Sequence, residues 1–241
     1  CRRCSWCLAG DSPLCDSFQI VGEHRWGAHG SYVVVPAENV VPKPPGRSWD
    51  DAAAYGLAGV TAWRMLQRAR LKAGETLLVV GVGGGVSAMG LVLGVAMGAR
   101  VFVTSRDATK RDAAIAMGAE AAFDSDSAEP WPVKADVVFE NVGPATWERS
   151  VRALRKGGRL VTCGGTSGPK VEVSLPRLFF GQFEIIGSTM GSYREFDEVT
   201  GLVERGLPVP VDAVVEGLDA YPEALERLRA GVQLGKVVVR H

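Results

Sequence analysis

From residue 76 onward, apolar positions fall into short unbroken runs separated by longer stretches with helical spacing. TLLVVG (76–81) shows no polar/apolar alternation, as a strand covered on both faces requires. SAMGLVLGVAMGA (87–99) follows as a helix rich in small residues, and RVFVTS (100–105) is a second buried strand. DATKRDAAIAMGA (107–119) predicts a helix starting near Asp107 or Thr109. ADVVFENVG (135–143) predicts a strand ending in a glycine loop, and PATWERSVRALRKGG (144–158) a helix with a glycine stop. RLVTCGG (159–165) and FEIIGSTMG (183–191) are further strands. The β-α-β-α-β-α-β order predicts an α/β, doubly wound parallel sheet.

The region before residue 76 reads differently. Residues 16–45 are short and β-like, with SYVVVP (31–36) a strand stopped by proline. VPKPPGRS (41–48) is turn-rich and reads as a hinge or domain edge. DDAAAYGLAGVTAWRMLQRA (50–69) predicts a helix N-capped by Ser48, with Gly56 and Gly59 able to divide it in two.

VVGVGGGVSAMG (79–90) lies between a buried strand and a helix, the setting in which a glycine-rich loop is informative. Glycines let backbone approach a pyrophosphate, and the helix N-terminus offers unpaired N–H groups. The strict dinucleotide spacing is imperfect: counting from Gly81, the sixth position is Val86. At the end of the second strand, where an NAD site carries a carboxylate for the ribose hydroxyls, stands Ser105, followed by Arg106 and, a turn on, Lys110. A hydroxyl and cations suit a 2′-phosphate, so the expected cofactor is NADP, with NAD the alternative and Asp107 the contrary residue.

Composition narrows the function further. With 241 residues there is room for one large domain or two modest ones. Lys+Arg and Asp+Glu are 27 each, so the long-range attraction that nucleic acid or anionic lipid needs is missing. No apolar run is long enough to span a bilayer, and no export signal opens the chain. A cytoplasmic protein is expected. The chain starts on a cysteine, so a fragment, processed product or truncated piece is expected.

Four of the five cysteines, Cys1, Cys4, Cys7 and Cys15, fall in CRRCSWCLAGDSPLC (1–15). The rest of the chain is large enough to need no disulfide staple, so four thiolates around Zn²⁺ are the expected arrangement. With no vacant position such a site is structural. An iron site with these ligands, or free or oxidised thiols, are the alternatives.

These features together resemble the medium-chain dehydrogenase/reductase superfamily: zinc-type alcohol dehydrogenases and their quinone oxidoreductase and enoyl reductase relatives. The four-cysteine lobe, GLAGVTAW (56–63), the glycine loop, VVFENVG (137–143), GGRLVTCGGTSG (157–168), IIGSTMG (185–191) and LGKVVV (234–239) carry the resemblance. It implies a Rossmann domain at 58–188 inserted in a GroES-like β-rich catalytic domain, of which 1–57 and 189–241 would be parts. The N-terminal segment of that domain would be lacking.

The resemblance also implies site residues. Cys1, Cys4, Cys7 and Cys15 match structural zinc ligands, and Gly83, Gly84, Gly85, Val86 and Ser87 match the pyrophosphate loop. Ser105, Arg106 and Lys110 match the adenosine ribose site, and Asn141, Val142 and Gly143 the loop under the nicotinamide ribose. Gly164, Gly165 and Thr166 match the next strand-end loop, Ser188, Thr189 and Met190 the contacts to the carboxamide, and Thr61 the meeting of helix and cofactor.

Two features depart from the zinc-type pattern. A catalytic zinc ligand is a Cys just before Ala-Gly-Val-Thr, and here that residue is Leu57. Without a metal to polarise an alcohol oxygen, reduction of an activated C=C, a quinone or a carbonyl by NADPH is the expected reaction. Glu23 and His24 in GEHRWG (22–27) are the candidate catalytic pair, as proton relay or metal ligands. An alcohol dehydrogenase with an atypical metal site, or a non-catalytic cofactor- and zinc-binding fragment, are the alternatives. A small-molecule substrate and a homodimer or homotetramer are expected, pairing sheet edges through 184–188.

Overall fold

A computed structural model describes residues 1–241. One short helical turn, α1 (Ser5–Leu8), opens the cysteine lobe. After an irregular stretch comes α2 (Trp49–Arg68), capped at Ser48, whose hydroxyl accepts from the Asp51 N–H. Then follow β1 (Thr76–Val79), α3 (Gly85–Ala96), β2 (Arg100–Ser105), α4 (Ala108–Ala116), β3 (Ala121–Asp124), β4 (Ala135–Glu140) and α5 (Pro144–Ala153). β5 (Leu154–Thr162), α6 (Leu175–Gly181), β6 (Glu184–Gly187) and α7 (Tyr193–Glu204) complete the large unit. β7 (Val211–Glu216), α8 (Tyr221–Ala230) and β8 (Lys236–Arg240) form a separate two-stranded parallel ladder with its helix.

The main sheet has six parallel strands in the order β3-β2-β1-β4-β5-β6. Strands β1 and β4 are buried on both faces, which explains their unbroken apolar runs. Leu77, Val79, Val137, Phe139 and Val161 meet Met89, Leu91 and Leu93 of α3 and Met65 and Leu66 of α2 in one core. Leu78, Val80, Val138 and Leu160 face a second, smaller one with Trp131 and Trp147. Chain order reverses between β1 and β4, so the connections leave in opposite directions there and open a crevice above the strand ends.

Several expectations need correction. The α2 segment is one helix, because Gly56 and Gly59 face Phe196 and Val199 of α7 at a close helix crossing. The expected domain edge at 57/58 therefore falls inside a continuous helix. Residues 31–36 form no strand: Tyr32 and Val34 are almost fully exposed and no ladder partner lies beside them. The helix over 144–158 ends at Ala153, since Leu154 pairs with Ala135 of β4 and the Gly157–Gly158 pair cannot sustain a helix. β3, with every residue half-buried, and α6 carried too weak a pattern to be foreseen.

The cysteine lobe is tied to the large unit by one buried cation. Arg64 of α2 is 5% exposed and donates to Asp11 (2.5 Å) and to Glu195 (2.9 Å). The Glu195 carboxylate also accepts from the Ser192 N–H, closing a capping box on α7. Arg64→Ala would leave two carboxylates without their cation, one of them buried. A loss of about 3 kcal/mol is expected, read as a lower urea midpoint; an unchanged midpoint would show that the triad carries no stability.

Candidate functional site

The crevice is framed by the loops leaving β1, β2, β4, β5 and β6. The glycine loop after β1 is stitched to β2: the Gly81 N–H donates to Thr104 Oγ1 (3.0 Å) and the Val82 N–H to Thr104 O (2.8 Å). It then turns into α3, so Gly85, Val86 and Ser87 present first-turn N–H groups that no helical carbonyl can accept. A segment from the far end of the chain lies against this loop, the Gly235 N–H donating to Gly83 O (2.8 Å). The stem of Lys236 crosses Gly85 so closely that a Cβ there would stand 2.4 Å from its Cδ. A lysine placed beside a helix N-terminus is opposed by the helix dipole and gains from an anion between them.

Lys110 is turned differently from the expectation. It is 8% exposed, and its ammonium donates to Gly231 O beside Gly83. Burial chiefly holds its pKa below the ordinary lysine value, against the pull of Asp107 and Asp212. It ties α4 to the 231–236 segment at the flank of the glycine loop. At the end of β2, Ser105 Oγ accepts from the Asp107 N–H (3.2 Å), and Arg111 donates to the carbonyls of Ser105 (2.8 Å) and Arg106 (3.0 Å). Asp107 caps α4 through the Lys110 N–H, so its carboxylate is committed to the helix. The Arg106 side chain is exposed and forms no ion pair.

The ends of β4 and β5 are sewn together. Asn141 Nδ2 donates to Ser87 Oγ (3.1 Å), joining the β4 loop to the first turn of α3. Thr166 donates to Asn141 O through its hydroxyl (3.1 Å), and Ser167 donates to Val142 O through its N–H and hydroxyl (both 2.7 Å). Gly143 sits at φ +93°, and a Cβ there would come within 3.1 Å of the Gly165 Cα. Gly164, Gly165 and Thr166 thus form the wall facing Asn141, Val142 and Gly143. At the end of β6 the Ser188 N–H donates to Thr162 O (2.8 Å), Thr189 is exposed, and Met190 adopts a left-handed φ of 46°.

Two polar atoms near these loops are buried without a partner: Ser188 Oγ after β6 and Gln233 Oε1 in the segment on the glycine loop. Buried polar atoms normally have partners, so two orphans at the rim suit a polar ligand. Together with the glycine loop and the free first-turn N–H groups, they fit a dinucleotide. Thr61 is 5% exposed, and its hydroxyl donates to Leu57 O (2.7 Å) in its own helix. Cys163, after β5, is half-buried, and burial pushes its thiol up to about 11.

Glu23 and His24 sit on an exposed turn, with His24 Nδ1 accepting from the Ile20 N–H (3.1 Å). No hydrogen bond or ion pair joins either to the crevice loops. A concavity of about 610 Å³ lies instead where β4 and β5 begin, against Trp131, Arg149 and Arg177. Its cations are already engaged, Arg149 by backbone carbonyls of Ser125 and Glu129 and Arg177 by Glu148.

In the N-terminal lobe the four Sγ atoms of Cys1, Cys4, Cys7 and Cys15 all lie within 4.8 Å of one another, and none is in a disulfide. A Zn–S bond of about 2.3 Å sets a tetrahedral S···S edge of about 3.8 Å, so the cluster fits one four-thiolate ion. The Arg2 backbone N–H, foremost, holds the Cys7 thiol below its ordinary value, and the neighbouring thiols add to this. That favours the ligating thiolate.

Sequence reasoning missed Lys236 and Glu140. Lys236 lies in a stretch noticed only for overall resemblance, and nothing local links it to a loop 150 residues away. Glu140 sits at the end of an apolar strand, and that placement was its one available signal.

A family model described as zinc-binding dehydrogenase matches residues 85–205. Crotonyl-CoA reductase from Streptomyces avermitilis is 31% identical over 90% of the chain. The chain spans 55% of that relative's length. The solved structure of an NAD-dependent alcohol dehydrogenase covers the whole chain at TM-score 0.94 and 34% identity, the chain covering 73% of it. The 2-octenoyl-CoA carboxylase reductase CinF, solved with NADP and 2-octenoyl-CoA, covers 90% of the chain at TM-score 0.82 and 29% identity, the chain covering 55% of it.

With its thiol raised by burial, Cys163 stays protonated at pH 8. Iodoacetamide at pH 8 is expected to leave it unmodified in the folded protein, with alkylation rising toward pH 11. Rapid labelling at pH 8, followed by peptide mass spectrometry, would contradict this.

Proposed function

Because the chain belongs to the zinc-binding dehydrogenase family, we propose that it forms the nucleotide-binding part of an NADPH-dependent oxidoreductase acting on an activated C=C, a quinone or a carbonyl. When bound, the reduced nicotinamide supplies the hydride. Residues of this chain do the rest. The N–H groups of Gly85, Val86 and Ser87 and the Lys236 ammonium receive the pyrophosphate. Ser105 and Arg106 receive the adenosine ribose and its 2′-phosphate. Asn141, Val142, Gly143 and the Ser188–Met190 stretch hold the nicotinamide end.

The observation that carries the preference for NADPH is the end of β2. Of the carboxylates there, Asp107 is occupied as the α4 cap and Asp124, beside Ser105 on β3, lies 3.9 Å from Arg111, while Arg106 is exposed without an ion pair. A carboxylate at position 105 would repel a 2′-phosphate. Ser105→Asp is expected to weaken NADPH binding about tenfold and to spare NADH in a fluorescence titration. Equal affinities for NADPH in both proteins would remove this assignment.

Leu57 in place of a ligating cysteine supports the C=C, quinone or carbonyl reading, as does the similarity to a crotonyl-CoA reductase. The likeness to an NAD-dependent alcohol dehydrogenase favours a second reading, alcohol oxidation with an atypical metal site. Metal content separates the two. One zinc per chain, lost in Cys7→Ser, is expected for a lobe that serves structure alone; two zincs would favour the alcohol dehydrogenase. NADPH binding with no turnover on any enone or quinone would leave the non-catalytic reading.

Assembly is proposed through β6, the edge strand, where Ile185 is exposed, as are Phe179 and Phe180 of the preceding α6. No helix is long and apolar enough to cross a membrane. Free thiols fit a reducing, cytoplasmic setting.

A further inference from the structure

Glu140, the last residue of β4, is 0% exposed and forms no ion pair. A buried carboxylate without a cation is costly unless donors surround it. Here four do. The Val142 N–H donates at 2.6 Å and the Gly143 N–H at 3.0 Å to one oxygen. The Thr146 hydroxyl reaches both oxygens at 3.1 and 2.9 Å, and the Ser150 hydroxyl donates to the second. Two of these donors belong to the loop expected under the nicotinamide ribose, and two lie on α5, whose N-terminus also favours an anion.

The rest of the loop is bound outward. The carbonyls of Asn141 and Val142 accept from Thr166 and Ser167, and the Asn141 side chain meets Ser87 of the pyrophosphate loop. Glu140 thus holds the loop from the inside and these partners from the outside.

We infer that Glu140 is a positioning residue for the nicotinamide half of the cofactor: its carboxylate fixes the 141–143 loop and, through Asn141, the spacing of that loop from the pyrophosphate turn. This rests on the nucleotide site proposed above. The role is local. The adenosine half is received at the end of β2, and no hydrogen bond connects it with Glu140.

The test is a pair of titrations on the full chain, with NADPH and with adenosine 2′,5′-bisphosphate, which lacks the nicotinamide half. Glu140→Gln keeps the shape and one acceptor oxygen. The Thr146 and Ser150 hydroxyls can rotate to accept from the new amide, so the fold is expected to hold. The expected result is about a tenfold weaker Kd for NADPH with the bisphosphate unchanged. Ser150→Ala, which removes one donor and leaves Thr146 on that oxygen, should shift NADPH binding the same way by less, and serves if Glu140→Gln does not fold. Unchanged NADPH affinity in Glu140→Gln overturns the positioning role alone. Equal weakening of both probes also overturns it, showing a general loosening. A wild-type chain that binds neither probe overturns the nucleotide site itself, and this role with it.

Discussion

The crevice depends on strands β1 and β4 lying side by side although more than fifty residues of chain separate them. Their neighbours wind away in opposite directions, so no crossover covers the ends of these two strands. Backbone groups leaving them must find partners in loops, and the loops that provide them are the ones with the glycines. The β1 loop leans on Thr104 of β2, while the β4 loop leans on Thr166 and Ser167 after β5. What remains unpaired is the first turn of α3, and this is where the geometry can accept an anion.

Two of the buried charges near this frame, Arg64 and Glu140, are handled in opposite ways. Arg64 is paired through its two terminal nitrogens with carboxylates, one from the cysteine lobe and one from α7, while its Nε is left without a partner. Glu140 is satisfied by neutral donors and a helix end. The first arrangement joins parts of the chain far apart in sequence; the second stiffens eleven consecutive residues. Both would be expensive to leave half-made, so each specifies one arrangement of its neighbours.

Much of this was legible in the sequence where the pattern is local. Unbroken apolar runs marked β1, β2 and β4, because burial on both faces leaves no place for polar alternation. The four clustered cysteines and the glycine loop declared themselves by spacing. What was hidden is what only the fold brings together. Lys236 reaches Gly85 across the chain, Lys110 turns away to Gly231, and Gly59 serves a helix crossing where it reads as a break. The 31–36 run shows the converse. Its β-branched pattern is plain, yet a strand is a paired object, and no neighbour is present to pair with it.

The Asp11–Arg64–Glu195 triad also bears on how divisible the chain is. The cysteine lobe has the appearance of a small module that could be cut away or exchanged for another metal-binding loop. Yet it contributes one of the two anions around a guanidinium lodged in the large unit, whose other anion holds the start of α7. A graft that omitted Asp11 would therefore leave its defect in the recipient, at a helix far from the splice. The lobe can be transplanted only with the arginine's environment redesigned beside it.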